Sequence, residues 1–260
     1  MNPYLSEEGS RLLFSGDIAA EFPWLVDYEK VMDHAPENTR TYAAYQGALQ
    51  LLEQKKPGKG RLLDIGCGSG LFLQLAQKKG WKVEGLDFDP KSIARVSHRY
   101  GIPVHEGKFQ AVRFQPGTLD VITMWDYLEH VEGPVGIITQ VRSLLAPTGV
   151  LVIACPNHKS LLFWAAITLS KLTQGKFFCY PLRLLYPITH LSYFDPDFLS
   201  RNLFPGWSEF ARRYDETDIR RIQANPLMKF FVAILFVTAR PLRLSNRFIL
   251  FFEKNNANFK

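Results

Sequence analysis

Residues 61–87 read RLLDIGCGSGLFLQLAQKKGWKVEGLD, and this stretch decides the fold. Leu62, Leu63 and Ile65 form the short apolar run that a parallel strand buried on both faces requires. Gly66, Gly68 and Gly70 follow at every second position, where glycine permits positive φ and lets a ligand come close to the backbone. Leu71, Phe72, Leu75 and Ala76 then repeat at helical spacing, Lys78 and Lys79 fall in the last turn, and Gly80 supplies the stop. The turn therefore opens a helix whose N-terminal amides face outward. Trp81, Val83 and Leu86 make the next strand, and Asp87 ends it, 21 residues after Gly66. A carboxylate placed there accepts the hydroxyls of a ribose, so the layout is that of a nucleotide-cofactor site.

The details narrow the cofactor. A dinucleotide turn wants its third glycine three residues after the second, and Leu71 occupies that position. Asp64 stands just before the turn, where a carboxylate repels a pyrophosphate and attracts an ammonium or a sulfonium. The cofactor expected is cationic.

Working outward, Asp89 and Pro90 place a cap and a first-turn proline before a helix that runs to Tyr100 and is closed by Gly101. Strands are expected at Val104–Glu106, Leu119–Trp125 and 149–156, with a helix over 126–145 broken at Gly133 and Pro134. Upstream, 21–54 reads as helical, with Trp24, Tyr28, Val31, Tyr42, Tyr45, Leu49 and Leu52 on its apolar faces and Pro57-Gly58 ending it. Beyond Asn157 the pattern changes to an aromatic, basic insertion over 158–193, then a helix started by Asp195 and Pro196. The last strands are expected at 209–216 and 246–254, joined by an apolar helix around 218–239. Strand and helix alternate throughout, which implies an α/β fold with a parallel sheet wound on both faces. No linker divides the 260 residues, so one domain is expected: a helical lead over 1–60, a cofactor-binding core over 61–157, an acceptor-side insertion over 158–198, and a completion of the sheet over 199–260.

Composition excludes several classes. The N-terminus MNPYLSEEGS lacks the basic and apolar regions of a signal peptide. The longest uncharged apolar runs, 161–169 and 230–239, are about half the length of a bilayer span. Cys67, Cys155 and Cys179 have neither disulfide nor metal-ligand spacing, which suits a reducing cytoplasm, with Cys67 a small packing residue inside the glycine turn. Charge is uneven: 1–157 has 16 Lys/Arg against 18 Asp/Glu, whereas 158–260 has 15 against 7. The basic residues of that second part, Lys171, Lys176, Arg183, Lys229, Arg240, Arg243 and Arg247, alternate with aromatic and aliphatic ones. Such a mixture suits peripheral contact with an anionic membrane or a lipid-linked substrate, with a solvated basic face as the alternative. Nucleic acid is not expected, since no zinc finger, RNA-recognition signature or dense basic stripe is present.

DIGCGSG (64–70), LDFDP (86–90), LDVITMWDYLEHV (119–131) and LLAPTGVLVIACPN (144–157) follow one another in an order that resembles the motifs of class I S-adenosylmethionine-dependent methyltransferases. The nearest likeness is to the branch with the ubiquinone-pathway O-methyltransferases and uncharacterised bacterial relatives, from about residue 42 to 198. The resemblance implies a Rossmann-like, doubly wound sheet of seven strands, parallel except for an antiparallel last strand. It implies S-adenosyl-L-methionine as the donor, with Gly66, Gly68 and Gly70 along its methionine portion, Asp64 orienting the amino group through the turn, and Asp87 on the ribose. Phe88 and Phe109 would flank the adenine and Trp125 would lie beside the sulfonium, although each could instead be a core aromatic. Lys108 stands where many relatives place an acid beside the adenine amino group.

Asp126, Glu129 and His130 form the second signal. The branch carries a similar Glu-x-x-Glu-His run associated with a divalent metal, so these three residues are candidate ligands for Mg2+, which lowers the pKa of a bound acceptor hydroxyl. Alternatively Asp126 and Glu129 make a capping pair at a helix start. His130 is also a candidate general base, because an imidazole titrates near neutrality. His190 and His158 follow apolar stretches on the cleft side, and HLSYF (190–194) resembles a short family motif; catalysis competes with local packing for each. The expected function is methyl transfer to a small or lipid-linked acceptor, most plainly to an oxygen. The alternatives are a methyltransferase-fold protein that binds without catalysis and an NAD(P)-dependent oxidoreductase.

Overall fold

A computed structural model of the chain describes residues 36–172, 190–204, 206–222 and 226–254. The expected helical lead before residue 36, with Trp24, Tyr28 and Val31, and the middle of the insertion, 173–189, lie outside the described residues.

Seven strands form one sheet in the order β3-β2-β1-β4-β5-β7-β6. β1 (Arg61–Ile65), β2 (Lys82–Asp87), β3 (Val104–Glu106), β4 (Leu119–Trp125) and β5 (Leu145–Pro156) pair in parallel. β7 (Arg247–Lys254) runs antiparallel to both β5 and β6 (Trp207–Asp215), so it alone is reversed, as the resemblance implied. Alternation along the strands splits the core in two. Leu63, Ile65, Ile122, Met124, Leu151, Ile153, Leu250 and Phe252 face one side; Leu62, Val121, Val150, Val152, Ile249 and Phe251 face the other. Such strands read as unbroken apolar runs because helices cover both faces.

The helices have local causes. α1 (Arg40–Lys55) is capped by Thr39, whose hydroxyl accepts the Tyr42 N–H at 3.0 Å, and it buries Ala48, Leu49 and Leu52. α2 (Leu71–Lys78) starts directly from Gly70, and α3 (Pro90–Tyr100) starts from Asp89, which accepts the Lys91 and Ser92 amides. α4 (Pro134–Leu144), α5 (Leu161–Leu172) and α6 (Pro226–Ala239) complete the set, with a short helix at Pro196–Phe198 running into a π turn, Leu199–Leu203.

One expectation is corrected. Residues 126–145 do not form one interrupted helix with Asp126 as its cap. Asp126 has φ +51°, its N–H donates to the Ala154 carbonyl at 3.0 Å, and the chain leaves β4 through a sharp turn into a 3-10 turn at Leu128–His130. The α-helix begins only at Pro134, after Gly133 in the left-handed region, because proline suits a first turn and disrupts a helix interior. Lesser shifts put the last strands at Trp207–Asp215 and Arg247–Lys254, and split 218–239 into a 3-10 turn, Ile219–Arg221, and α6.

Candidate active site at the carboxyl ends of the strands

The glycine turn lies where the strand order reverses, between β1 with its neighbour β2 on one side and β4 on the other, the place at which open α/β sheets bind ligands. The Gly66 and Cys67 amides donate to the Leu86 carbonyl at 2.8 and 3.1 Å, and the Gly70 amide donates to Cys67 at 2.9 Å. Asp87 clamps the turn from below: its carboxylate accepts the Gly68 amide at 2.8 Å and the Asp89 amide at 3.0 Å. A carboxylate oxygen accepts more than one hydrogen bond, so capacity is left for sugar hydroxyls.

Two glycines are required for different reasons. A Cβ on Gly66, at φ +75°, would stand 2.7 Å from the Tyr127 ring. At Gly68, φ +50°, a Cβ would meet nothing within 4 Å, so this residue borders open space where a ligand can reach the backbone. Gly70, at φ +74°, forms the N-cap of α2 against Val96.

Asp64 is buried and accepts the Thr123 hydroxyl at 2.6 Å from the paired position on β4. Burial pushes its carboxyl up to about 8, the Thr123 hydrogen bond opposing and the Asp87 charge adding. Burial raises the Cys67 thiol well above its ordinary value, with Asp64 and Asp87 assisting, which disfavours a thiolate there.

The three expected cofactor aromatics are placed differently from one another. Phe88 is 72% exposed at the mouth of the site. Phe109 is fully buried among core residues and offers a carbonyl to Gln140 at 3.1 Å. Trp125 packs into an aromatic cluster, 4.6 Å from Tyr45 and 5.0 Å from Phe72 between ring centroids. Lys108 is exposed.

The second cluster forms beyond β4. The Glu129 carbonyl accepts the Leu191 and Ser192 amides at 2.7 and 3.1 Å, which docks residues 190–193 onto the 3-10 turn. His130 and His190 meet edge to face at 4.6 Å between ring centroids, and the donor atoms of Glu129, His130 and His190 lie within 4.8 Å of one another. Asp126 is near but outside this group of donor atoms: its carboxylate accepts from the Arg247 guanidinium at 2.8 Å. The Glu129 side chain is almost wholly buried; among the described residues no N–H or O–H group bonds its carboxylate oxygens, and the Cys155 thiol is its neighbour. Burial, then the Asp126 charge, lifts it to about 8, whereas burial and the neighbouring His130 lower His190 to about 4. The His158 ring lies tilted against Phe163 at 4.3 Å between centroids, and its amide donates to the Phe194 carbonyl. Tyr127, Thr123, Arg247 and Cys155 complete these two clusters; spacing marks none of them for this site, and Arg247, expected on a basic membrane-facing surface, is instead buried against Asp126.

Residues 37–203 match the family described as "Methyltransferase domain". Among curated proteins the chain is similar to the ubiquinone biosynthesis O-methyltransferase of Histophilus somni (strain 2336), 32% identical over 46% of this chain and 56% of that protein. It is also similar to that of Xylella fastidiosa (strain 9a5c), 29% identical over 72% of this chain and 81% of the relative. The chain thus spans about half the length of several curated relatives it matches, with shares of 56% and 48%. In fold it is similar to an S-adenosylmethionine-dependent methyltransferase from Archaeoglobus fulgidus, with a TM-score of 0.55 and 16% identity over 87% of this chain and 99% of the other. A methyltransferase structure from Thermotoga maritima gives the same TM-score and identity over 90% and 99%. With its glycine turn, acid-terminated second strand and reversed last strand, the chain belongs to the methyltransferase-domain family and has the class I S-adenosylmethionine-dependent fold.

Proposed function

We propose that the protein is an S-adenosylmethionine-dependent methyltransferase acting on an oxygen of a small or lipid-linked acceptor. The observation that carries this reading is the open space beside Gly68, whose amide is held by the carboxylate of Asp87. A carboxylate at the turn suits a cationic ligand better than a polyphosphate. When bound, S-adenosylmethionine supplies a methyl group already activated by its sulfonium. The residues of the chain hold and align: Gly66, Gly68 and Gly70 border the methionine portion, Asp87 the ribose, and Phe88 offers a ring to the adenine. In this reading Phe109 and Trp125 act from behind, Phe109 through its backbone and Trp125 by holding the β4 terminus against α1 and α2.

Acceptor chemistry is assigned to the Glu129, His130 and His190 cluster. His130 is the exposed member and takes the acceptor proton; His190, held neutral, orients it. Magnesium does not fit this cluster. Mg2+ prefers an octahedron of oxygens, whereas two imidazoles and one carboxylate converge here, and Asp126, the oxygen donor that reading needed, faces Arg247. The O-methyltransferase relatives, named for ubiquinone biosynthesis, favour an oxygen acceptor.

The test is calorimetric titration with S-adenosylmethionine, followed by S-adenosylhomocysteine release with a cell extract supplying acceptors. Binding with turnover is expected. Binding without turnover in any extract would leave a binding protein of the same fold, and stabilisation by NAD(P) alone would overturn the donor.

A further inference from the structure

α6 is apolar on both faces. Val232, Phe236 and Ala239 are buried against the domain, yet the opposite face shows Leu227, Phe230, Phe231, Ile234 and Val237, with Phe230 61% and Phe231 54% exposed. A surface helix in water ordinarily presents charged and polar residues there. α5 packs beside α6 and adds Trp164, 61% exposed, and Leu169. Apolar patches of this kind mark interaction surfaces.

Charge identifies the occupant. Neither 158–194 nor 219–252 contains a single Asp or Glu, while Lys171, Lys229 and Arg243 lie on the two helices and the turn after α6. Lys171 and Arg243 are exposed. Arg240 and Lys159, by contrast, serve the fold through Glu216 and Asp195. A basic rim around an apolar face repels a second copy of itself and attracts an anionic surface that has an apolar interior. Among the described residues no helix is long and apolar enough to cross a membrane, so α6 would lie in the interface plane, its aromatic side chains inserted and its lysine and arginine stems reaching the headgroups.

We infer that the outer face of α5 and α6 docks the protein peripherally on an anionic lipid bilayer. α6 leads through a turn into Arg247, the residue that holds Asp126, and the Leu161 amide that starts α5 bonds the Leu244 carbonyl in that turn at 2.9 Å. The surface is therefore tied through this turn to the end of the sheet at which Asp126 stands. The docking itself does not depend on the methyl-transfer reading, though a lipid-linked acceptor would give it a purpose.

Co-sedimentation of the full chain with vesicles tests it. Binding is expected to phosphatidylcholine doped with phosphatidylglycerol and not to phosphatidylcholine alone, with salt weakening it. Phe230→Asp/Phe231→Asp should weaken vesicle binding at least about tenfold and leave S-adenosylmethionine affinity unchanged, so failure of this surface and failure of the donor reading are told apart. Should that double variant misfold, Leu227→Ser/Val237→Ser takes its place with the same expectation. No binding to anionic vesicles, or equal binding by the variants, overturns the inference. So does a dimer in sedimentation that Phe230→Asp/Phe231→Asp dissociates, or a Phe231→Cys thiol shielded from a polar maleimide in vesicle-free protein, which would mean another part of the chain covers the face.

Discussion

Asp64 on β1 and Asp87 at the end of β2 are two acids next to the glycine turn, and their surroundings give them different work. Asp87 holds two backbone amides and stands at the site, so Asp87→Ala should weaken S-adenosylmethionine binding by about 1–3 kcal/mol, measured by calorimetry. Asp64 is buried, with its carboxyl at about 8, and is therefore largely protonated in the ligand-free protein at neutral pH. A cation bound nearby favours the carboxylate, so binding should expel a proton below about 8, and affinity should rise with pH until it levels off above that value. Titrations in buffers of different ionisation enthalpy would reveal the proton; a pH-independent affinity would remove Asp64 from contact with the donor. The same shift sets the stability of the ligand-free protein. The folded state binds the proton more tightly than the unfolded chain, so stability should fall as pH rises from about 4 towards 8, and Asp64→Asn should remove that slope in urea melts. Both acids were visible in the sequence because each has a fixed place relative to the glycine turn. The Thr123 hydroxyl that receives Asp64 lies 59 positions away and is found only through strand pairing.

Among the elements, β1 to β4 with α2 and α3 follow from local chemistry: apolar runs, glycine stops, and the Asp89 cap with Pro90. The connection after β4 does not. Periodicity favoured a helix from residue 126, but the Asp126 amide is drawn to β5 and its carboxylate to β7, two partners that no local pattern contains. The same turn brings Glu129 and His130 to His190 while the Asp126 carboxylate is turned to Arg247, which is why the metal reading from spacing loses an oxygen ligand. Glu216 shows a comparable long-range tie. Its buried carboxylate accepts Arg40 of α1 at 3.1 Å and Arg240 after α6 at 2.8 Å. Glu216→Ala removes the shared partner of both arginines and should cost about 2–4 kcal/mol of stability in urea unfolding, near the lower end for a buried pair because both arginines are part-exposed.

For the molecule as a whole, a ligand that binds only the folded state adds stability by mass action, about 2.7 kcal/mol at a hundred times its dissociation constant. In a chain of 260 residues that corresponds to a rise in melting temperature of roughly 5–10 °C. S-adenosylmethionine should produce it, NAD(P) should not, and Asp87→Ala should shrink it; a shift with NAD(P) alone would point to the other cofactor class. The sequence by itself determined the α/β class and the glycine turn between the first two strands, because these depend on residue type and short spacing, and backbone geometry converts such spacing directly into position. Only the tertiary structure decided which distant residues meet: Thr123 at Asp64, Tyr127 over Gly66, His190 beside His130, Arg247 on Asp126, and an apolar face left outward on α6. Those meetings arise from the winding order of the sheet, where neighbours in space come from strands and loops far apart along the chain.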